Sequence, residues 1–313
     1  RGVPPAPTQE VDQRMAVRAP ARRRYHLRGR VGLIAFAFLF PFLVLFVVFR
    51  IGPVLAALAL SFTSYDVLSP PRWVGLANYV NILFGTEAAT RLFWRSIVNT
   101  LYFTAGQVTF EMLSGLALAI LVNSRLLRAK AAWRAFFYTP VVTSLVASSM
   151  IWLWLFNSEA GLLNTLLKGI GLTPLKWLGS TTLAMPSIIL MAVWQGAGWS
   201  MVIYLAGLQG IPESLYEAAR IDGASAWQQF RKVTLPLLAP VTLFIVIMSC
   251  ISDLQVFSQV FVMTEGGPLN STLTVTYHMY LNAFRFMRMG YASAMSFLLF
   301  LLILVISILN NRV

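Results

Sequence analysis

The sequence predicts an all-α integral membrane protein of six transmembrane helices, with the N- and C-termini cytoplasmic. Three observations lead there. First, 58% of the 313 residues are hydrophobic and only 11% are charged, whereas a soluble domain carries roughly 25% charged residues. So few charges cannot cover a globule of this length, so lipid must solvate much of the surface. Second, six stretches are long enough to cross a bilayer, which takes about 20 mostly apolar residues. They are 31–51, 96–122, 134–156, 183–208, 234–262 and 289–310. Third, basic residues gather on one side. With the N-terminus inside, 16 of the 24 Lys and Arg fall on cytoplasmic segments and 8 on external ends and loops, the bias expected of inside loops. The formal net charge of +13 is therefore largely positional.

Taken in order, residues 1–30 form a basic segment rich in Pro, Ala, Arg and Gln without apolar periodicity. It is expected to be a disordered cytoplasmic tail that sets topology at anionic lipid, with no nucleic acid partner. The remainder, 31–313, starts with span 1, whose apolar run is too long for a signal-peptide core and reads as a retained helix. Pro41 and Pro53 should kink it. Loop 65–95 carries Tyr65-Asp66 and Ser69-Pro70-Pro71, then a turn from Trp73 into a short interfacial helix near Tyr79. Span 2 places Gly115 and Ala119 four apart, a spacing that lets a second helix approach closely. A basic turn from Arg125 to Arg134 leads to span 3, with Trp152, Trp154 and Phe156 at its outer end. Glycines 161, 169 and 171 with Pro174 break the loop 157–182. Span 4 carries Trp194, Gln195, Gly198 and Trp199; span 5 carries Asp253, Gln255 and Gln259. Thr264 to Pro268 is a strong turn before span 6. Cys250 is the one cysteine, so no intrachain disulfide is available.

The cytoplasmic loop 209–233 is charged, amphipathic and well patterned. Pro212 and Glu213 suit a helix start, and Glu213 to Ile221 gives about two turns. Gly223 permits a reversal that a β-carbon would hinder. Ser225 with Gln228 three residues on fits a capping box. Two short helices at an angle should result.

Glu217-Ala218-Ala219, Gly223, Val233 and Leu235-Pro236 carry a family resemblance. Their spacing resembles the EAA loop of bacterial ABC-importer permeases; Val233 stands where isoleucine is usual. Phe257 to Pro268, with Tyr280, Ala283-Phe284 and Gly290 to Ala294, resembles the end of carbohydrate-uptake permeases of the maltose-transporter type. Val74 to Tyr79 is similar to their first external loop, and the likeness runs from about 33 to 310. Glu265 departs from a common Gly at the first position of its turn.

The resemblance implies a type I ABC importer permease fold in the bacterial cytoplasmic membrane. It implies a coupling helix in which Glu217, Ala218, Ala219, Asp222 and Gly223 contact an ATP-binding subunit. The implied partners are a second related permease, two ATP-binding subunits, an extracytoplasmic solute-binding protein and membrane lipid. ATP and Mg would be held by the partner ATPases. This chain has no Gly-x4-Gly-Lys-Ser/Thr loop to cradle phosphates, no metal-ligand spacing around its two histidines, and no nucleophile elbow. It is therefore expected to be no enzyme and to hold no cofactor or metal.

Polar side chains inside spans are costly and mark a cavity or a helix partner. Asp253 and Phe257, four apart, are expected on one helix face with Val260 and Phe261, and Gln259 on a neighbouring one. With Trp194, Gln195 and Trp199 they suit a transient sugar path, since sugars present both an apolar ring face and many hydroxyls. Glu111 is open between substrate contact and a helix interface. Two further readings are kept. The same importer class could carry glycerol 3-phosphate or a glycerophosphodiester, with Arg285 and Arg288 near span 6 as anion partners. An ion-coupled secondary transporter would need paired ionisable groups at the midplane and leaves the loop pattern unexplained.

Overall fold

In the computed structural model, residue 2 and residues 29–86, 88–124 and 127–310 are described. The basic tail other than its last residues, Arg125 of the basic turn and Arg312 lie outside them. The chain divides into two compact units, residues 1–55 and 56–313.

The first unit is built on α1 (Gly29–Phe46), which contains Pro41 and runs into a π turn, Val47–Ile51. Phenylalanines four apart pair along it, Phe36 with Phe40 at 6.0 Å and Phe42 with Phe46 at 5.9 Å. The N–H of Gly52 bonds the carbonyl of Val47, closing the wide turn. Helical backbone then continues as α2 (Gly52–Ser61), ten residues past the expected end of span 1. Pro53 is the second residue of α2, where its missing N–H is tolerated.

The second unit opens with a small hairpin, β1 (Thr63–Ser64) and β2 (Arg72–Trp73), antiparallel with Thr63 opposite Trp73. It is the one strand pair among the described residues. Asp66 orders its turn by accepting from the N–H and hydroxyl of Ser69 at 2.8 and 2.7 Å. The short helix α3 (Ala77–Phe84) follows, with the Asn78 amide donating to the carbonyls of Ser61 and Thr63.

The long helix α4 (Ala88–Asn123) begins eight residues before the expected span. It packs along α8 (Ala184–Gln209), and α8 is the most buried of the candidate spans. Gly115 makes that contact possible, because a Cβ there would lie 2.5 Å from Ser200 Cβ. The close approach expected of Gly115 is thus made against the fourth span.

The third expected span is not one helix. It is α5 (Lys130–Val142) followed by α6 (Leu145–Leu155), bent by 95°. Pro140 lies inside α5 and supplies no N–H. The Thr143 hydroxyl and N–H both go to the Pro140 carbonyl, at 2.6 and 3.3 Å, and Thr143 is extended. That local bonding competes with another helical turn. The loop beyond contains α7 (Leu162–Gly169), anchored by buried Asn164. Its amide donates to the carbonyls of Ser158 and Leu175, and its oxygen accepts from Leu175 N–H and the Trp177 indole.

After α8 come α9 (Glu213–Ile221) and α10 (Ala226–Gln229), a π turn at Phe230–Thr234, and α11 (Leu235–Asp253). The fifth span therefore stops at Asp253 rather than near 262. Residues 254–257 leave the helix, with Phe257 at φ −136°, and α12 (Ser258–Met263) starts afresh. No Gly or Pro marks this break. Side chains take over the carbonyls: Thr274 Oγ1 donates to Val256 at 3.2 Å and Gln255 Nε2 to Ile251 at 2.7 Å. Helix α13 (Val275–Tyr280) and a π turn lead to α14 (Met289–Asn310). Among the described residues, five helices are long and apolar enough to cross a membrane, or six if the bent α5–α6 pair is one span.

Three apolar clusters hold the second unit together. Met185, Ile188 and Met191 of α8 meet Val256, Val260 and Met263. Met201 and Tyr204 meet Ala119, Leu238 and Ile245. Ile82 and Phe93 meet Val275, Met295 and Leu299. Polar groups tie the ends: Asn99 donates to the carbonyls of Asn270 and Leu273, and the Thr100 hydroxyl accepts from Val275 N–H.

Candidate functional site: an exposed helical hairpin and an intramembrane cavity

The first site is the hairpin of α9 and α10. Pro212 caps α9, Glu213 sits in its first turn and Arg220 in its last, each complementing the helix dipole. The two side chains form an exposed ion pair at 3.0 Å, a contact that contributes little by itself. At the C-terminus Gly223 has φ +76°, and the N–H of Ala224 reaches back to the Ala219 carbonyl at 2.9 Å. No atom crowds a Cβ at Gly223, so the left-handed backbone, not space, requires glycine. Ser225 and Gln228 form the expected capping box, with Ser225 N–H on Gln228 Oε1 at 2.7 Å. Gln229 donates to the Ala224 carbonyl at 2.9 Å and locks the second arm.

Glu217, Ala218, Asp222 and Gly223 are exposed on this hairpin and Ala219 is half-buried. Ile221 and Trp227 beside them are 87% and 66% exposed. Two large apolar side chains thus stand out on a charged hairpin. The Tyr216 hydroxyl shares a hydrogen bond with Thr234 Oγ1 at 2.9 Å. This bond ties α9 to the residue that precedes α11. Tyr216 escapes a reading of the loop alone, because its partner lies 18 residues away.

The second site is a cavity of about 390 Å³ among α4, α6, α8, α11 and α12. Of the expected path residues it brings together Gln195, Trp199, Asp253 and Gln259, with Glu111. Trp194 and Phe257 are elsewhere. Trp194 lies beside Trp152, rings 5.7 Å apart, and lines an apolar recess with Phe136 and Phe137. Phe257 stacks on Phe261 at 5.3 Å and meets Tyr280 at 5.3 Å. The shared helix face expected for Asp253 and Phe257 fails because the helix ends between them.

Glu111 is buried and held on both oxygens. Ser200 donates to Oε1 at 2.6 Å and the Gln107 amide to Oε2 at 3.1 Å. So the carboxyl bridges helices and also lines the cavity. Gln195 donates to the Thr143 carbonyl at 3.3 Å, in the α5–α6 break. Gln107, Ser249 and Ser252 are further polar lining residues. Their sequence signature is periodicity: 107 and 111 are four apart, and 249, 252 and 253 share a helix face. Arg285 and Arg288 are exposed and do not line this cavity.

A bundle of apolar helices around an open cavity lined by several polar side chains, with an exposed helical hairpin in a loop, defines an integral membrane transport component. The chain belongs to the family of binding-protein-dependent transport system inner membrane components, whose model matches residues 111–313. It is 36% identical over 295 residues to the probable ABC transporter permease protein YesP of Bacillus subtilis (strain 168), covering 93% of each chain. It is 36% identical over 298 residues to the lactose transport system permease protein LacF of Rhizobium radiobacter, covering 94% of this chain and 96% of that one. Identity is 34% over 291 residues to the trehalose/maltose transport system permease protein MalF of Thermococcus litoralis, with 92% and 95% covered. The fold is that of a chain in a bacterial ABC transporter involved in import of the acidic polysaccharide alginate. There the TM-score is 0.77 at 23% identity, over 90% of this chain and 95% of that one.

Proposed function

We propose that the chain is the permease subunit of an ATP-driven importer that carries a sugar or oligosaccharide into the cell. The observation that carries the coupling role is the exposed α9–Gly223–α10 hairpin, braced to the fifth span through Tyr216 and Thr234. The lactose and trehalose/maltose permeases among its relatives support a carbohydrate cargo. ATP and Mg are held by two separate ATP-binding subunits that dock on Glu217, Ala218, Ala219, Asp222 and Gly223. A second permease completes the path and an extracytoplasmic binding protein delivers the solute; the alginate transporter of the same fold was solved with a periplasmic protein bound to an alginate pentasaccharide. Closure of the ATPase pair moves the hairpin as a rigid body and rocks the spans between inward- and outward-open states. Covalent chemistry is left to the partners.

The test is the pair Gly223→Val and Glu217→Lys in the complete complex, read by ATP-driven sugar uptake and by co-purification of the ATP-binding subunits. Both should fall together. Normal uptake with normal docking would remove the coupling role.

A further inference from the structure

The cavity among α4, α8 and α11 has an unusual hydrogen-bond balance. Among the described residues, its ionisable lining groups are Glu111 and Asp253, and no Lys, Arg or His lines it. Three of its side-chain oxygens are buried with no donor within bonding distance: Gln107 Oε1, Gln195 Oε1 and Asp253 Oδ2. Gln107 is only 4% exposed. Two of the three are amide oxygens, which only accept hydrogen bonds. These three atoms are closed off from the cavity, but the side chains that line it are carboxyl, amide and hydroxyl groups, which suit a solute that both donates and accepts hydrogen bonds. Hydroxyl groups do so, and Trp199 lines the cavity beside them. A phosphate or carboxylate brings acceptors to acceptors, and a buried anion here finds no cation.

We propose that this cavity admits uncharged, hydroxyl-rich solutes and excludes anionic ones, such as sugar phosphates, glycerol phosphates and uronates. The inference rests on the sugar-importer reading above and narrows its substrate class. It separates this chain from the acidic-polysaccharide importer that shares its fold.

The test reads the cavity without knowing the natural cargo. Ser252, an exposed lining residue, is changed to Cys in a Cys250→Ala background, in membrane vesicles holding the complete complex. The thiolate is labelled by hydroxyethyl or by sulfonatoethyl methanethiosulfonate; a disulfide forms and methanesulfinate leaves. One thiolate meets both reagents, so its own ionisation cancels in the ratio. Relative to free cysteine, the anionic reagent should be slower than the neutral one by at least about tenfold. Asp253→Lys should bring the ratio back to within about twofold of free cysteine. Gln259→Cys serves as a second site if Ser252→Cys does not fold. A ratio within about twofold of free cysteine in the otherwise native cavity would overturn the proposal, as would an unchanged ratio in Asp253→Lys. Uptake of trehalose against trehalose 6-phosphate is measured in the same vesicles. Faster phosphate uptake counts against the proposal, whereas loss of all sugar uptake counts against the sugar reading and leaves the thiol ratio to decide the cavity's preference.

Discussion

Replacing Gly115 with alanine sets a methyl carbon 2.5 Å from Ser200 Cβ and 3.1 Å from the backbone at Ser200 C and Met201 N. Carbon atoms in ordinary contact stand about 3.5–4.0 Å apart, so α4 and α8 must part by about 1 Å. Backbone atoms cannot swing aside as a side-chain tip can. Overpacking of this kind costs about 1–3 kcal/mol. The same displacement stretches the 2.6 Å bond from Ser200 to Glu111, a contact of about 1–2 kcal/mol. The two give a loss of about 2–5 kcal/mol, and with about 2–4 °C per kcal/mol in large domains the complex should melt several degrees lower. The assay is thermal unfolding of the detergent-purified complex followed by its size-exclusion profile. Gly179→Ala is the control, since its new Cβ would meet nothing closer than 3.7 Å. A Gly115→Ala complex as stable as the Gly179→Ala control would refute the idea that this glycine sets the α4–α8 distance.

Tyr216→Phe removes the hydroxyl that meets Thr234 at a cost of about 0.5–1.5 kcal/mol. The expected outcome is less sugar carried per ATP hydrolysed, with ATP-binding subunits still co-purifying; an unchanged ratio would release Tyr216 from its bracing role. The Ser69 hydroxyl, and then its N–H, hold the Asp66 carboxyl below its ordinary 3.8. A depressed carboxyl adds order that is complete above the unfolded-state value and is lost as pH falls through the folded one. The turn at 66–69 should thus keep its amide protection at neutral pH and lose it only below about pH 3.8. Asp66→Asn should lower protection of Leu68 and Ser69 at neutral pH, with the difference closing at low pH, and equal protection of the two proteins at neutral pH would refute the account.

What the sequence discloses follows the range of the forces. Helix α9, the glycine reversal and the capping box are written within a few residues of one another, in Pro212, Glu213, Gly223, Ser225 and Gln228, and they form as read. Helix breaks made by distant partners leave no such mark. The stop at Asp253 is sealed by Thr274, 18 residues on from the carbonyl it bonds, and residues 254–257 read as plain continuing helix. That one unseen break moved Phe257 off the path. Likewise, Trp194 and Gln195 are neighbours in sequence but about 100° apart around a helix, and the indole lines the recess with Phe136 and Phe137 instead.

The two breaks and the cavity coincide, and the coincidence has a cause. Within a bilayer, non-helical backbone survives only where it is covered by protein or lines a polar space. The α5–α6 break offers the Thr143 carbonyl, which Gln195 takes, and Leu145 just beyond it lines the cavity. The α11–α12 break is bounded by Asp253 and Gln259, which line it as well, and α12 packs on α6. Each break thus lies at the wall that needs polar groups, and each shortens the helix on which the neighbouring span would otherwise close. A continuous helix through 143–144 or 254–257 would satisfy its own carbonyls and leave none for Gln195 or Thr274 to bond. Restoring helix at either point, for instance with Thr143→Ala and Ser144→Ala together, should therefore strengthen the bundle while weakening uptake, a pairing that a purely structural role for these breaks does not produce.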